Sequence, residues 1–200
     1  MAKQGGDGGS GSGWRTFASV LTAIAALAGG YAAVRGSWEA TEYVEYLKAS
    51  KRETYAAGPQ WKTSREWRGD WKQKSFDDRD WSAVVTPAPD RQTLSTADAA
   101  YTTMWSPGGA QRGTSYFRRI ISMPDRDRIE RVTILSAADD DHRIYLNGTA
   151  VTSDVDHAAG PVVFTDVTPF VETGDNVFAI AAVNDSGGCW IAVNIQVQRK

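Results

Sequence analysis

The stretch Ala138–Gly148, ADDDHRIYLNG, decides the fold together with the strand patterns on either side of it. Ile129–Ala137, directly before it, is rich in β-branched residues, which favour strands. Arg143–Leu146 predicts a short strand, Asn147-Gly148 is typical of a two-residue hairpin turn, and Thr149–Val151 is the returning strand. Because a two-stranded hairpin is at best marginally stable in water, a second sheet has to cover it.

Further strand patterns precede and follow this hairpin, and they predict the second sheet that packs against it. In Trp190–Gln198 the residues Ile191, Val193, Ile195 and Val197 alternate with smaller or polar ones, as in a half-buried antiparallel strand. Short strands separated by turn signals predict an antiparallel β-sandwich, with the remaining strands at Tyr116–Ser122, Val162–Asp166 and Asn176–Val183. Gln60–Asp80 is interpreted as strands and turns whose tryptophans pack inward, and Thr86–Gly109 as a long surface loop.

The composition excludes several classes of function. The chain has 200 residues, of which 22 are Lys or Arg and 24 are Asp or Glu, so no basic stripe for nucleic acid is expected. Cys189 is the sole cysteine, which rules out an intrachain disulfide. His142 and His157 are the two histidines, both expected at the surface, and no nucleophile elbow, phosphate loop or zinc-ligand spacing occurs. The sequence therefore predicts neither an enzyme nor a cofactor.

The N-terminal part predicts a membrane anchor. Residues 1–13 form a Gly/Ser-rich flexible tail, and Thr16–Val34 then carries no charged residue. As a helix this segment is about 28 Å long, close to the hydrocarbon thickness of a bilayer. We predict a transmembrane helix over residues 14–38, with membrane-interface anchors at Trp14, Arg15, Arg35 and Trp38. Two alternatives stay open, namely a cleaved signal peptide with its cleavage site at Ala26-Leu27-Ala28 and a buried helix of a soluble protein.

Small residues make this helix suited to packing against other helices. Seven alanines and two glycines occur in Thr16–Val34, and small residues let helix backbones approach closely. Five of them share one side at helical spacing, namely Ala25, Ala28, Gly29, Ala32 and Ala33. Residues 39–59 predict a helical stalk, because Glu residues precede Lys and Arg and Gly58-Pro59 ends the pattern. Residues 60–200 are assigned to the β-sandwich.

A series of motifs in the C-terminal part resembles a known family. It resembles the galactose-binding-like jelly-roll domains that occur as sugar-binding-type modules beside glycoside hydrolase catalytic domains, and the resemblance covers Trp61–Arg199. The motifs, in order, are Phe76-Asp77-Asp78-Arg79-Asp80-Trp81, Tyr116-Phe117-Arg118, Ala138–Asp141, Ile144-Tyr145-Leu146-Asn147-Gly148, Thr165-Asp166-Val167-Thr168, Gly174-Asp175-Asn176 and Asn184. The resemblance implies a mainly β fold and, as a habit of the family, carbohydrate. The apolar N-terminal segment is not part of the family's sequence pattern.

Few residues suggest a ligand site. Trp105 and Trp190 are candidate ligand or partner contacts, because a carbohydrate platform needs an exposed aromatic ring; packing in the core is the alternative for both. Asp139 and Asp141, with Asp140 between them, could bind calcium through carboxylate oxygens, the alternative being a solvated acidic turn.

Two functions of different classes remain. The first is a non-enzymatic, single-pass accessory subunit of a membrane complex, for example a photosynthetic or respiratory one, whose helix packs among other helices while the sandwich clamps neighbouring subunits. The second is a membrane-anchored carbohydrate-binding module. The Ala/Gly-rich helix favours the first, since a mere anchor would use Leu, Ile and Val. Basic residues after the span point to a cytoplasmic C-terminal domain, but the family is mostly extracytoplasmic, and we expect the sandwich to be extracytoplasmic.

Overall fold

The computed structural model describes residues 51–89, 93–95, 100–154 and 162–200, and Lys51–Lys200 form one compact unit. This unit is a β-sandwich, as the sequence predicts. Single turns of 3-10 helix lie at Arg126–Arg128 and Thr168–Phe170. The strands are β1 (Arg52–Ala56), β2 (Lys62–Ser64), β3 (Ser82–Ala83), β4 (Thr93–Ser95), β5 (Ala100–Met104), β6 (Gly113–Met123), β7 (Ile129–Asp139), β8 (Asp141–Leu146), β9 (Thr149–Asp154), β10 (Val163–Asp166), β11 (Gly174–Asn184) and β12 (Trp190–Arg199).

The strands form two antiparallel sheets. Sheet A has the order β10-β7-β12-β5-β4, with β1 also paired to β12, and sheet B has the order β3-β2-β6-β11-β8-β9. Side chains alternate between the two faces of a strand, so every second residue points between the sheets. Ile191, Val193 and Ile195 of β12 face Phe117 of β6 and Ile180 of β11 in this way, and all five are at most 1% exposed.

The Asn147-Gly148 turn is confirmed, and it is tied to a neighbouring strand. Asn147 has φ 51° and Gly148 has φ 87°, the pair of positive values that a type I′ hairpin turn requires. Asn147 Oδ1 accepts a hydrogen bond from the Val177 backbone N–H at 2.9 Å, and Asn147 Nδ2 donates to Asn176 Oδ1 at 2.9 Å. The turn therefore fixes the register of β8 and β9 and also joins this hairpin to β11.

Three predictions of local structure are wrong. The helical stalk cannot reach residue 59, because Arg52–Ala56 pairs with β12 as a strand and residue 51 begins the compact unit. Thr86–Gly109 is more than a surface loop, since it contains β4 and β5 and the Ala100–Met104 strand pairs with β12. β12 is not half-buried: Ala192 is fully buried, and Asn194 and Gln198 are 8% and 9% exposed.

The acidic triplet forms no solvated turn. β7 runs through Asp139 and β8 begins at Asp141, which leaves Asp140 alone between the strands. Asp140 and Asp141 are 8% and 6% exposed. Asp140 Oδ2 accepts a 2.6 Å hydrogen bond from the Asp185 backbone N–H, so this carboxylate connects two loops of the sandwich. Backbone donors supply the polar partners that a buried carboxylate needs.

The predictions for the N-terminal part lie outside the described residues. These are the flexible tail (1–13), the transmembrane helix (14–38) with its anchors and its packing face, and the stalk up to residue 50. In the ranges that the structure describes, no helix has the length and apolar character needed to cross a bilayer.

Candidate binding site on the outer face of sheet B

The outer face of sheet B, turned away from the core, combines small and large side chains. Tyr116 of β6 lies opposite Ala181 of β11, which lies opposite Arg143 of β8. In the next row outward-facing Ala179 separates Arg118 of β6 from Tyr145 of β8. Because the central strand contributes only small side chains here, a depression runs between the larger residues of the two flanking strands. This shape follows from the sequence of β11, in which the core residues Phe178 and Ile180 alternate with the outward-facing Ala179 and Ala181.

The segment between β2 and β3 covers part of this face with aromatic rings. Trp71 is 2% exposed and packs its ring 5.0 Å from that of Tyr116 and 5.7 Å from that of Tyr145, measured between centroids. Trp81 lies 6.3 Å from Trp71, and Phe76 packs edge-on against Trp81 at 5.5 Å. These five residues form a second, smaller apolar cluster outside the sandwich, here called the outer aromatic cluster. Trp61 packs in the sandwich core as the sequence predicts, whereas Trp71 is buried in the outer aromatic cluster and Trp67 is exposed.

A buried arginine holds the covering segment on the sheet. The Arg118 side chain is fully buried; its guanidinium pairs with Asp78, donates to the Trp71 carbonyl at 3.2 Å and donates to the Gln73 carbonyl at 2.9 Å. Lys62 Nζ also contacts Asp78 Oδ1, at 2.8 Å. One side chain of β6 thus satisfies two backbone carbonyls and one carboxylate of the segment, which positions Trp71 against the sheet.

Between the covering segment and the exposed half of the sheet lies an open pocket of about 320 Å³, here called the sheet-B pocket. Its lining includes the small side chains of Ala181 and Val183 of β11 and the rings of Tyr116 and Trp71. Trp67 also lines the pocket and is 68% exposed. The full lining is Trp67, Trp71, Lys72, Thr114, Tyr116, Asp141, His142, Arg143, Tyr145, Ala181 and Val183. Aromatic faces beside a few polar groups are typical of small-molecule sites.

Two cations border the pocket without a carboxylate partner in the described part of the chain. Lys72 Nζ lies 4.4 Å from the centroid of the Tyr145 ring, a cation–π contact. Arg143 is exposed and lies two residues before Tyr145, so both side chains point to the outer face. The lining also includes Asp141, which is 6% exposed.

His142 borders the pocket, but its imidazole points into the sandwich. Nε2 lies 2.8 Å from Ser136 Oγ of β7, and Nδ1 is buried without a hydrogen-bond partner. Burial lowers the pKa of His142 to about 4, against the opposing effect of the nearby Asp141 charge, so the ring is neutral at pH 7. The prediction of a surface histidine is therefore wrong for His142, because β8 places it on its core face; His157 lies outside the described residues.

The sequence-predicted ligand contacts are not exposed. Trp105 is fully buried, with its ring 5.6 Å from that of Phe117, and Trp190 is 3% exposed. Neither can be a stacking platform, because the core of the sandwich covers both rings. Asp139 and Asp141 end β7 and begin β8, and no three His, Cys, Asp or Glu side chains of the described ranges are arranged to hold a metal ion. Calcium at these two residues stays a prediction.

Sequence reasoning missed Trp67, Lys72 and Arg143 as members of one site. Two signals point to them in retrospect. Arg143 and Tyr145 occur at i and i+2 in a predicted strand, so they share a face. Lys72 follows Trp71 in a segment where basic and aromatic residues alternate. Neither signal predicts that Trp67 lines the same pocket as residues of β8, because this depends on how the segment between β2 and β3 folds over the sheet.

Comparison with known proteins supports the fold. No protein-family model matches the chain, and no curated protein matches it. Among solved structures, a Bacteroides uniformis β-glucuronidase is 22% identical with a TM-score of 0.53, over 73% of this chain and 18% of that one. A β-glucuronidase from glycoside hydrolase family 2 is 17% identical with a TM-score of 0.51, over 72% and 18% of the two chains.

A Ruminococcus gnavus β-glucuronidase is 11% identical with a TM-score of 0.50, over 74% of this chain and 29% of that one. The chain therefore spans less than a third of the length of each of these three enzymes. At such identities the likeness establishes a shared β-sandwich fold and leaves function to the site. The prediction of a β-sandwich of the kind found in glycoside hydrolases is confirmed at the level of the fold.

Proposed function

We propose that the chain is a non-enzymatic accessory module that works by binding, and that the sheet-B pocket binds carbohydrate. The observation that carries the proposal is the pocket itself, whose lining combines the exposed Trp67, the aromatic residues Tyr116 and Tyr145, and the polar side chains of Lys72, Thr114 and Arg143. Sugar rings have apolar faces and hydroxyl-rich edges, so aromatic faces flanked by hydrogen-bonding groups suit them. The proposal includes the assignment of this β-sandwich to the galactose-binding-like jelly-roll family.

The chemistry of the described lining supports binding rather than hydrolysis. Glycosidases of the usual kind need two carboxyl groups on either side of the scissile bond. In the described lining Asp141 is the single carboxylate, and the His142 imidazole points away from the pocket to Ser136. The solved glycosidases whose fold is similar are three or more times longer than the region they share with this chain, which fits an accessory role for the sandwich.

Replacing Trp67 by Ala tests the carbohydrate proposal. Saccharide binding should weaken about tenfold or more, because removing an aromatic hot-spot residue typically costs on the order of 2 kcal/mol of binding free energy. Stability should change by less than about 0.5 kcal/mol, since the side chain is largely exposed. Calorimetric titration with a panel of oligosaccharides measures the first effect and thermal unfolding the second.

Phe164→Ala is the matched control, because Phe164 is 67% exposed, as Trp67 is, but lies on β10 of sheet A. It should leave saccharide binding unchanged. Equal losses in the two variants, or unchanged binding in Trp67→Ala, would remove the pocket from the proposal.

The second candidate is a single-pass accessory subunit of a membrane complex, photosynthetic or respiratory. Phe164 favours it, because an aromatic side chain so exposed on the edge strand β10 is of the kind enriched at protein interfaces. The uncharged Ala/Gly-rich segment Thr16–Val34 is the second support, as a helix suited to close packing in a membrane. In this proposal the sandwich lies outside the cytoplasm and contacts neighbouring subunits.

Replacing Ala28 or Gly29 by Leu tests the second candidate. Membrane insertion should persist, because Leu is more apolar, but overpacking a close helix contact costs about 1–3 kcal/mol. The protein should remain in carbonate-washed membranes and no longer co-purify with its complex. Ala23→Leu is the control, because helical spacing places Ala23 opposite the small-residue side. Full co-purification of the Ala28→Leu and Gly29→Leu variants would contradict this candidate.

A further inference from the structure

We infer that the sheet-B pocket selects an acidic sugar, one that carries a carboxylate or sulfate group, and that Lys72 and Arg143 bind this group. The inference rests on the proposed carbohydrate function and names the class of ligand. The inference follows from which basic side chains around the pocket form ion pairs with carboxylates and which do not.

Most basic residues of the covering segment, and of the strands β2 and β6 beneath it, pair with carboxylates. Their carboxylate partners lie within 2.8 Å or less, in the pairs Lys62–Asp78, Arg68–Asp80, Lys74–Glu172 and Arg79–Asp77, and Arg118 of β6 also pairs with Asp78. Lys72 has no carboxylate partner among the described residues; its ammonium lies over the Tyr145 ring instead. Arg65 also lacks a carboxylate partner there, but its guanidinium donates to the Gln111 and Arg112 backbone carbonyls. Lys72 is thus the basic residue of the segment that lines the pocket without a carboxylate partner among the described residues.

The second unpaired cation lies next to the first. Arg143 and Tyr145 are two positions apart on β8, which spaces their Cβ atoms by roughly 7 Å on the same face. Since Lys72 Nζ is 4.4 Å from the Tyr145 ring, Lys72 and Arg143 flank the same aromatic residue. Arg143 forms no ion pair in the described ranges, although Asp141 is its neighbour at i−2 on the same face.

This arrangement fits an anion on a sugar better than a neutral sugar. A neutral ring could stack on Trp67 but would leave both positive charges without a partner. A carboxylate or sulfate on the ring edge would accept charge-assisted hydrogen bonds from the guanidinium and the ammonium, which are roughly twice as strong as neutral ones. Lys72 is only partly exposed, so solvent screens this attraction less than at an open surface.

The test compares sugars that differ only in charge, using the full-length protein. Oligogalacturonides are titrated against their methyl esters, and sulfated galactose against galactose, by calorimetry at physiological salt. We expect the charged member to bind at least tenfold more tightly in one or both pairs, and the pair that responds identifies carboxylate or sulfate as the source of the anion. Lys72→Gln and Arg143→Gln should each reduce binding of the charged sugar about tenfold and leave the neutral one unchanged.

Lys74→Gln is the matched control, because it removes the same charge two residues away from a side chain already paired with Glu172. It should leave all affinities within about twofold, and circular dichroism confirms that each variant is folded. Equal affinity for charged and neutral sugars, or a Lys74→Gln loss as large as that of Lys72→Gln, would overturn the inference while leaving carbohydrate binding intact. If neither member of either pair binds, the proposed carbohydrate function fails as well.

Discussion

Replacing Arg118 by Ala is expected to lower the free energy of unfolding by about 3–5 kcal/mol, the usual cost of removing one partner from a buried ion pair. The Arg118 side chain is fully buried and Asp78 is 16% exposed, so little water is available to replace the lost contacts. The carbonyls of Trp71 and Gln73 would lose their donor at the same time. Urea unfolding followed by tryptophan fluorescence measures the change.

The same substitution should also disturb the shape of the sheet-B pocket, because Arg118 positions the segment that carries the lining residues Trp71 and Lys72. Arg118→Lys, which keeps the charge but lacks the planar fork of donors, should lose less stability than Arg118→Ala. Arg79→Ala is the matched control: its pair with Asp77 is highly exposed, and exposed pairs contribute little. If Arg118→Ala unfolds at the same urea concentration as Arg79→Ala, then Arg118 does not fasten this segment.

Acidification should destabilise the sandwich through His142. Burial lowers the pKa of this histidine from 6.5 to about 4, so between these values the unfolded chain binds a proton that the folded protein does not. Stability therefore falls as the pH drops from about 6.5 to about 4, by up to about 3 kcal/mol for this one group. The measurement is the free energy of unfolding from urea titrations at pH steps across this window.

His142→Gln isolates the effect, since Gln can still hydrogen-bond Ser136 but does not titrate. The stability difference between the wild type and His142→Gln should change by up to about 3 kcal/mol across the window, in favour of the variant at low pH. Both proteins keep His157 and all carboxylates, such as Asp77, whose pKa its Arg79 hydrogen bonds lower to about 2. Parallel pH profiles of the two proteins would contradict the prediction.

The sequence alone determined the sandwich and its central hairpin, because the signals for both are local. Asn147-Gly148 prefers positive φ at both positions whatever surrounds it, and the structure has φ 51° and 87° there. β-branched and alternating stretches likewise gave β6, β7, β11 and β12 within a few residues of their observed bounds. Short local patterns were less reliable: Ala100–Met104 contains the strand-favouring residues Tyr101, Thr102 and Thr103, but it lies in a Pro- and Ala-rich stretch, and its pairing with β12 is what shows it to be a strand.

Only the tertiary structure decided which side chains make the candidate site. Trp67, Trp105 and Trp190 are the same residue type in sequence, yet one is 68% exposed and the other two are in the core, because burial depends on which face each backbone segment presents. In the same way, Lys72 has the same charge as its neighbour Lys74, but Glu172, almost a hundred residues away, neutralises only Lys74. Ring stacking and ion pairing act over a few ångströms in space between residues distant in the chain, so a local pattern does not contain them.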